Sequence, residues 1–244
     1  MSDFERAMKP HLQAYRQGRW RALILSELIL DDMRRIGSSP TVLDIGCGKG
    51  FDDSPELQSR IAASAGRYIG VEPDSTIECP PWLTTVHRST LEEAPIEPGS
   101  IQVAFAIMVL EHVTQPGPFF DKLHSVLAPN GVFWGLTVDA RHWFRYASTL
   151  LERLRIKNWY LDRVAGTVSE GRYVNYPTAY RANSPSQIER LARGFSSAEF
   201  ASLQKVGQLD SYLPRPLRSP AALVDRFLTG LHLPGAILAC RLVR

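Results

Sequence analysis

The sequence predicts an α/β fold: a doubly wound, mostly parallel seven-stranded sheet with a helical insertion after strand five. Three observations predict it. Short apolar runs alternate with helical patterns through the first 138 residues, the mark of a parallel sheet with right-handed crossovers. The run Thr41-Val42-Leu43-Asp44-Ile45 leads into glycines at alternate positions, Gly46, Gly48 and Gly50, and then into a helix start where Ser54 can cap and Pro55 suits the first helical position. Finally, Ile101 to Ile107 is nearly all apolar, as a strand buried on both faces should be.

The elements follow in order. Residues 2–18 read as a short helix interrupted near Pro10. From Arg19 to Ile36, Trp20, Leu23, Ile24, Leu28 and Ile29 recur at helical spacing, and Gly37 supplies the stop. This helix is expected to pack on the sheet or cover a cleft, with Arg16, Arg19 and Arg21 facing solvent. Pro55 to Ala65 is the first crossover helix, and Tyr68 to Glu72 is strand two, broken by Pro73-Asp74. The proline-marked segment Glu78-Cys79-Pro80-Pro81 abbreviates the next helix. Leu83 to His87 is strand three, and Phe119 to Leu127 is a helix. The turn Pro129-Asn130-Gly131 leads into strand five, Val132 to Val138. Residues 139–180 are dense in arginine and aromatics and form the insertion. Ser184-Pro185 opens a helix, Pro214 to Pro234 reads as loop and helix, and Ala198–Leu203 and Ala236–Val243 supply the last two strands.

Composition bounds the function. At 244 residues, with 44% hydrophobic and 22% charged residues, the chain can bury one sizeable core, and no apolar run reaches the length of a membrane span. The opening residues carry no signal-peptide core. Cys47, Cys79 and Cys240 are far apart in sequence, which argues for a reducing compartment, against a disulfide framework and against a clustered zinc site. The expected location is cytoplasmic, and no metal is called for. The formal charge of +3 divides unevenly: −5 over residues 1–138 and +8 over residues 139–244. An anionic partner or substrate for the basic half and a merely solvated basic surface explain this equally well.

A glycine loop between strand and helix brings a ligand close to backbone N–H groups. A triphosphate loop needs lysine followed by Ser or Thr after its last glycine, but Lys49 is followed by Gly50. A dinucleotide loop needs a third glycine where Phe51 stands, and its pyrophosphate would sit beside Asp44. An acid at that point suits a cation. Glu72, ending strand two 22 residues after Gly50, is placed to accept ribose hydroxyls.

In these elements the chain resembles the class I S-adenosylmethionine-dependent methyltransferases. Val42 to Gly50 matches their first motif, and Gly70-Val71-Glu72-Pro73-Asp74 their second. Ile101 to Val113, with Leu110-Glu111-His112-Val113, resembles the fourth-strand motif. Leu127-Ala128-Pro129-Asn130-Gly131-Val132 resembles the turn before strand five. The resemblance covers residues 41–138 and implies a Rossmann-like methyltransferase fold. It implies S-adenosylmethionine as cofactor, with S-adenosylhomocysteine as product. The implied cofactor contacts are Asp44, Gly46, Cys47, Gly48, Gly50, Glu72, Pro73, Thr90, Leu91, Ala106 and Ile107. Two positions depart from the family pattern: Thr90 and Gln102 stand where acids are usual, so adenine would be read by backbone near Thr90 and Leu91.

The segment after strand four reads Ala106-Ile107-Met108-Val109, without the proline and aromatic of enzymes that methylate base or glutamine amino groups. No cysteine follows strand four or five for thiolate chemistry, and no nucleic-acid module is visible. The expectation is an enzyme that O-methylates a small molecule, a glycan or a lipid-linked metabolite. The alternatives are an N- or C-methyltransferase of a metabolite or macromolecule, and a non-catalytic S-adenosylmethionine-binding scaffold. A hydroxyl acceptor benefits from a base with a pKa near neutrality. His142, after strand five, and His112, after strand four, are the candidates, with His142 preferred as base; His87, His124 and His232 are read as structural.

Residues 141–163 interleave Arg141, Arg145, Arg153, Arg155, Lys157 and Arg163 with Trp143, Phe144, Tyr146, Leu150, Leu151, Leu154, Trp159 and Tyr160. Such a stretch can lid a site for an anionic acceptor or lie on a membrane surface; equally it can be an ordinary packed helix with wet arginines. Tyr176 to Pro185 resembles a segment of methyltransferases associated with surface polysaccharides. Tyr180, Arg181 and Asn183 either line the acceptor cleft or belong to a turn capped by Asn183 or Ser184. The organisation expected is N-terminal helices over 1–40, a cofactor core over 41–138, a helical acceptor-site insertion or lid over 139–184, and the rest of the same α/β domain over 185–244. The sequence leaves the oligomeric state undetermined.

Overall fold

The computed structural model describes residues 2–48, 50–155, 159, 177–208, 210, 213–231 and 233–244. Lys157, Tyr160, Arg163, Tyr176 and His232 lie outside the described residues. Two helices come first, α1 (Asp3–Arg16) and α2 (Arg21–Ile36). Pro10 does not interrupt α1. A capping box between Ser2 and Glu5 starts the helix, and buried Met8 and Tyr15 anchor it on either side of the proline. The strands are β1 (Thr41–Ile45), β2 (Arg67–Val71), β3 (Thr85–His87), β4 (Ile101–Ile107), β5 (Leu127–Val138), β6 (Ser197–Leu203) and β7 (Ile237–Val243). Between them lie α3 (Pro55–Ala63), α4 (Pro116–Val126), α5 (Trp143–Arg153), α6 (Pro185–Leu191) and α7 (Arg215–Gly230). Pro129-Asn130-Gly131 lies inside β5 rather than before it. The register of β4 against β5 shifts between Ile101 and Val103, and Asn130 takes a positive φ, so the three residues are absorbed as an irregularity.

The sheet order is β3-β2-β1-β4-β5-β7-β6. β1 to β5 pair in parallel, and β7 is antiparallel to both β5 and β6. Alternating side chains feed two cores. Val42, Tyr68, Phe105 and Trp134 face Met8, Ile24, Ile29, Leu57 and Ile61 on one side. Leu43, Ile45, Ala104, Ala106 and Phe133 face Phe119, Phe120, Leu123 and Ile188 on the other. Within the first core, α2 is pinned to the sheet by buried Asp32, which accepts from Trp134 Nε1 at 2.9 Å and pairs with Arg241 at 2.9 Å. Gln102 ties strand to strand, its Oε1 accepting from Thr41 N at 2.7 Å. Among the described residues no helix is long and apolar enough to cross a membrane.

The chain winds outward from β1 through β2 to β3, then returns to lay β4 on the other side of β1. That reversal opens a crevice beyond the carboxyl ends of β1 and β4, where ligands of doubly wound sheets bind.

Candidate active site

The glycine loop opens at the end of β1, where Gly46 N and Cys47 N both donate to Val71 O. Gly46 has φ +77°, and a Cβ there would come within 2.6 Å of Val109 Cγ2; Gly50 has φ +115° with the backbone of Ser54 and Pro55 against it. At Gly48 a Cβ would lie 2.9 Å from Glu72 Oε2. The loop is thus stripped of side chains where β2 and the segment after β4 close on it.

Glu72 is buried, and each carboxylate oxygen accepts one backbone N–H: Oε2 from Gly48 at 3.1 Å and Oε1 from Asp74 at 3.0 Å. A carboxylate has about four acceptor sites, so two backbone bonds orient it and leave capacity for hydroxyls. Pro73 is exposed and ends the strand, Thr90 is exposed, and Leu91 is buried in the second core. The Thr90 carbonyl accepts from Ala94 N and from Ser89 Oγ. Ala106 is buried beside Ile45 in the β1–β4 register, and Ile107 follows it to the strand end.

Asp44 is buried against Tyr68 and Gln58, both on its face of the sheet. Tyr68 Oη donates to Asp44 Oδ2 at 2.6 Å and Gln58 Nε2 to the same oxygen at 2.8 Å; Oδ1 takes neither bond. Gln58 Nε2 also donates to the Cys47 carbonyl at 2.8 Å, tying acid to loop. Burial pushes the Asp44 carboxyl up to about 6, against the two donors that favour its ionised form. A buried acid held partly against its charge is a receptor for a cation. The donor set therefore fits S-adenosylmethionine: a carboxylate for the ammonium, a second for ribose hydroxyls, and glycines at alternate positions of the loop. It does not fit a phosphate.

Two features differ from the sequence expectation. Arg21 is not a solvent-facing residue: its Nε and one amino group hold Asp52 in a two-point pair, both at 2.8 Å, clamping the start of α2 to the end of the glycine loop. Asp52 and Asp53 both have positive φ, so this end of the loop is strained and needs holding. Cys47 and Cys79, distant in sequence, bring their Sγ atoms to 3.8 Å, and both are free thiols. The Cys47 side chain is wholly buried.

The histidines occupy different surroundings. His112 lies one turn beyond Val109, its N–H donating to the Val109 carbonyl at 2.9 Å, and its Nδ1 is 2.9 Å from the Pro177 carbonyl. A carbonyl only accepts, so Nδ1 donates the proton in this bond. His142 is buried at the start of α5; burial lowers its pKa from 6.5, while Asp225 and Asp139 pull it the other way. His124 bonds the Gly194 carbonyl and packs on Phe195.

Sequence reasoning missed a buried polar file beneath His112. Asn183 Nδ2 donates to Thr137 Oγ1 at 2.6 Å, and Thr137 Oγ1 donates to Glu111 Oε2 at 2.7 Å. The Glu111 carbonyl in turn accepts from Ala179 N and Tyr180 N. Burial raises the Glu111 carboxyl pKa, with His112 opposing. Asn183 is therefore neither an exposed cleft residue nor the cap; Ser184 caps α6. Arg181 donates to the Thr114 carbonyl at 2.8 Å, fixing the strand of chain that crosses above the β4 end.

The methyltransferase-domain family matches residues 12–179. A ubiquinone biosynthesis O-methyltransferase from Rhodopseudomonas palustris (strain HaA2) is 27% identical over 166 residues, 63% of this chain and 56% of that protein. One from Bradyrhizobium diazoefficiens is 30% identical over 125 residues, 48% of this chain and 47% of that protein. The chain thus spans about half the length of the curated relatives it matches. Among solved structures, a possible histamine N-methyltransferase from Thermotoga maritima aligns with TM-score 0.54 at 15% identity, over 99% of this chain and 94% of that one. A geranyl diphosphate C-methyltransferase from Streptomyces coelicolor aligns with TM-score 0.55 at 12% identity, over 90% and 75%. These structural likenesses establish the fold. Their names span nitrogen and carbon acceptors, so fold alone does not select the atom methylated.

Proposed function

This chain belongs to the methyltransferase-domain family, the class I S-adenosylmethionine-dependent methyltransferases, and from that premise we propose that it methylates a hydroxyl oxygen of a small molecule. The observation that carries the choice of oxygen is the 2.9 Å bond from His112 Nδ1 to the Pro177 carbonyl, which fixes an imidazole one turn from the residue that abuts Gly46. Oxygen acceptors gain from removal of a proton as the bond forms, and an imidazole is the side chain suited to that near neutral pH. The similarity to ubiquinone biosynthesis O-methyltransferases supports the same atom.

S-adenosylmethionine, when bound, supplies an electrophilic methyl group on a sulfonium with a good leaving group. What remains for this chain is to orient and to exclude water. Asp44 would hold the ammonium and Glu72 the ribose hydroxyls, with the glycine loop setting the approach. Thr90 and Leu91 border the adenine side through their backbone. The His112 imidazole would take the acceptor's proton, and the Glu111–Thr137–Asn183 bonds would hold the segment that carries it. His142, buried against Asp139 and Asp225, is a support for the start of α5 in this reading. Residues 139–184 form the acceptor-side insertion, and a glycan or lipid-linked hydroxyl falls within the same proposal.

The test has two parts. Calorimetry with S-adenosylmethionine and S-adenosylhomocysteine checks the cofactor site. Transfer of tritiated methyl to a panel of small phenols, alcohols, sugars and amines then reports the acceptor. We expect label on a hydroxyl, and His112→Ala to lower kcat about a hundredfold or more with cofactor affinity kept. Label on an amine or carbon, or His112→Ala turning over at the parent rate, overturns the oxygen assignment. Cofactor binding without any turnover across the panel and cell extracts supports a scaffold instead.

A further inference from the structure

Helix α7 is turned inside out. Its one buried residue is Asp225, whose carboxylate accepts from Gly207 N at 2.9 Å and whose carbonyl accepts from Thr229 Oγ1. Apart from half-buried Leu228, its large apolar side chains are exposed. Leu217, Val224 and Leu231 recur every seven residues, with Leu223 and Phe227 between them, and all five are exposed, Leu223 at 65% and Phe227 at 66%. At 100° per residue these five fall within one third of the helix circumference. A helix of a globular domain normally buries such a stripe.

Helix α5 repeats the arrangement. Tyr146, Leu150 and Leu154, at successive fours, are exposed at 62%, 56% and 57%.

The exposed charges around the α7 stripe have one sign. On α7 the exposed charges are Arg215, Arg218 and Arg226, and the only acid is the buried Asp225. On and just past α5 stand Arg145, Arg153 and Arg155, while Glu152 accepts from Thr178 Oγ1. A second copy of this chain docking by two-fold symmetry would set arginines against arginines with no exposed acid on either helix to answer them. The partner that matches is apolar in depth and anionic at its rim.

We propose that the exposed face of α7 docks on an anionic lipid surface. Leu217, Leu223, Val224, Phe227 and Leu231 enter the acyl boundary, and the arginines meet headgroup phosphates. Lipid-soluble acceptors would then reach the cleft from the side of the insertion. The docking itself does not depend on methyl transfer, so it stands or falls separately from the reaction proposed above.

Co-sedimentation of the full chain with vesicles tests it, using phosphatidylcholine alone and equal parts phosphatidylcholine and phosphatidylglycerol. We expect binding to the mixed vesicles and little to the neutral ones. Arg215→Gln, Arg218→Gln and Arg226→Gln should each weaken binding about fivefold. Leu223→Ser with Phe227→Ser should weaken it more than tenfold. Because these side chains are exposed, thermal melts of the variants should match the parent, which separates lost docking from lost folding. Equal binding to neutral and anionic vesicles, or none to either, overturns the proposal. So does a dimer in light scattering that the Leu223/Phe227 double variant dissolves.

Discussion

Replacing Asp44 by Asn should make the protein more stable and worse at binding its cofactor. Burial raises the Asp44 carboxyl from 3.8 to about 6 even though Tyr68 and Gln58 both donate to it. Above pH 6 the fold therefore holds a charge it would rather neutralise. The shift of about two units, at roughly 1.4 kcal/mol each, amounts to about 3 kcal/mol. Asparagine keeps a carbonyl oxygen to accept from Tyr68 Oη and Gln58 Nε2, so the knot survives without the charge. The sign follows from the raised folded-state pKa. Below the unfolded value both proteins are neutral here and equally stable. As pH rises toward 6 the wild type loses its proton-linked stability and the variant does not, so the gap opens between about pH 4 and pH 6 and stays constant above. For a chain of this size that is about 6–12 °C in Tm. The assay is thermal or urea unfolding across pH 4–8, with and without S-adenosylmethionine. Cofactor at a hundred times its Kd should add about 2.7 kcal/mol to the wild type and far less to the variant. A variant less stable than the parent at pH 8 without cofactor would refute the reasoning, as would a gap that does not change between pH 4 and pH 6.

Gly48→Ala places a Cβ 2.9 Å from Glu72 Oε2; calorimetry should show cofactor affinity down about tenfold or more, with the melting curve little changed. Arg21→Ala removes the two-point hold on Asp52 in a strained turn. It should cost about 1–2 kcal/mol in urea unfolding and raise the KM for S-adenosylmethionine more than it lowers kcat. Asp32→Ala strips Arg241 and Trp134 of their shared buried acceptor far from the crevice, so stability should fall by about 3 kcal/mol while the specific activity of the folded fraction is kept.

Much of this molecule was legible in one dimension because parallel sheets are built from local signals. A strand buried on both faces must be apolar throughout, as Ile101–Ile107 is. A loop that lets a ligand approach must drop its side chains, as Gly46, Gly48 and Gly50 do. An acid at a strand end is visible wherever the strand ends, so Asp44 and Glu72 stand out in the sequence, and they point to the cofactor class. These features depend on neighbours a few residues away, and alternation carries them faithfully.

What tertiary structure alone decided involves pairs separated by tens of residues. Arg21 reads as a wet helix residue until Asp52 is brought beside it. Asp44 reads as a bare carboxylate until Tyr68 and Gln58 close on one of its oxygens and leave the other. Cys47 and Cys79 look unrelated until β2 and the loop after it set their sulfurs together. Thr137 carries no motif, and only the fold shows that it links Asn183 to Glu111. Periodicity tells that α5 and α7 are amphipathic; it cannot tell which way their stripes turn. That orientation belongs to the whole chain, because a stripe faces inward only where the rest of the fold offers apolar surface to receive it. Here the fold receives Asp225 and leaves Phe227 outside.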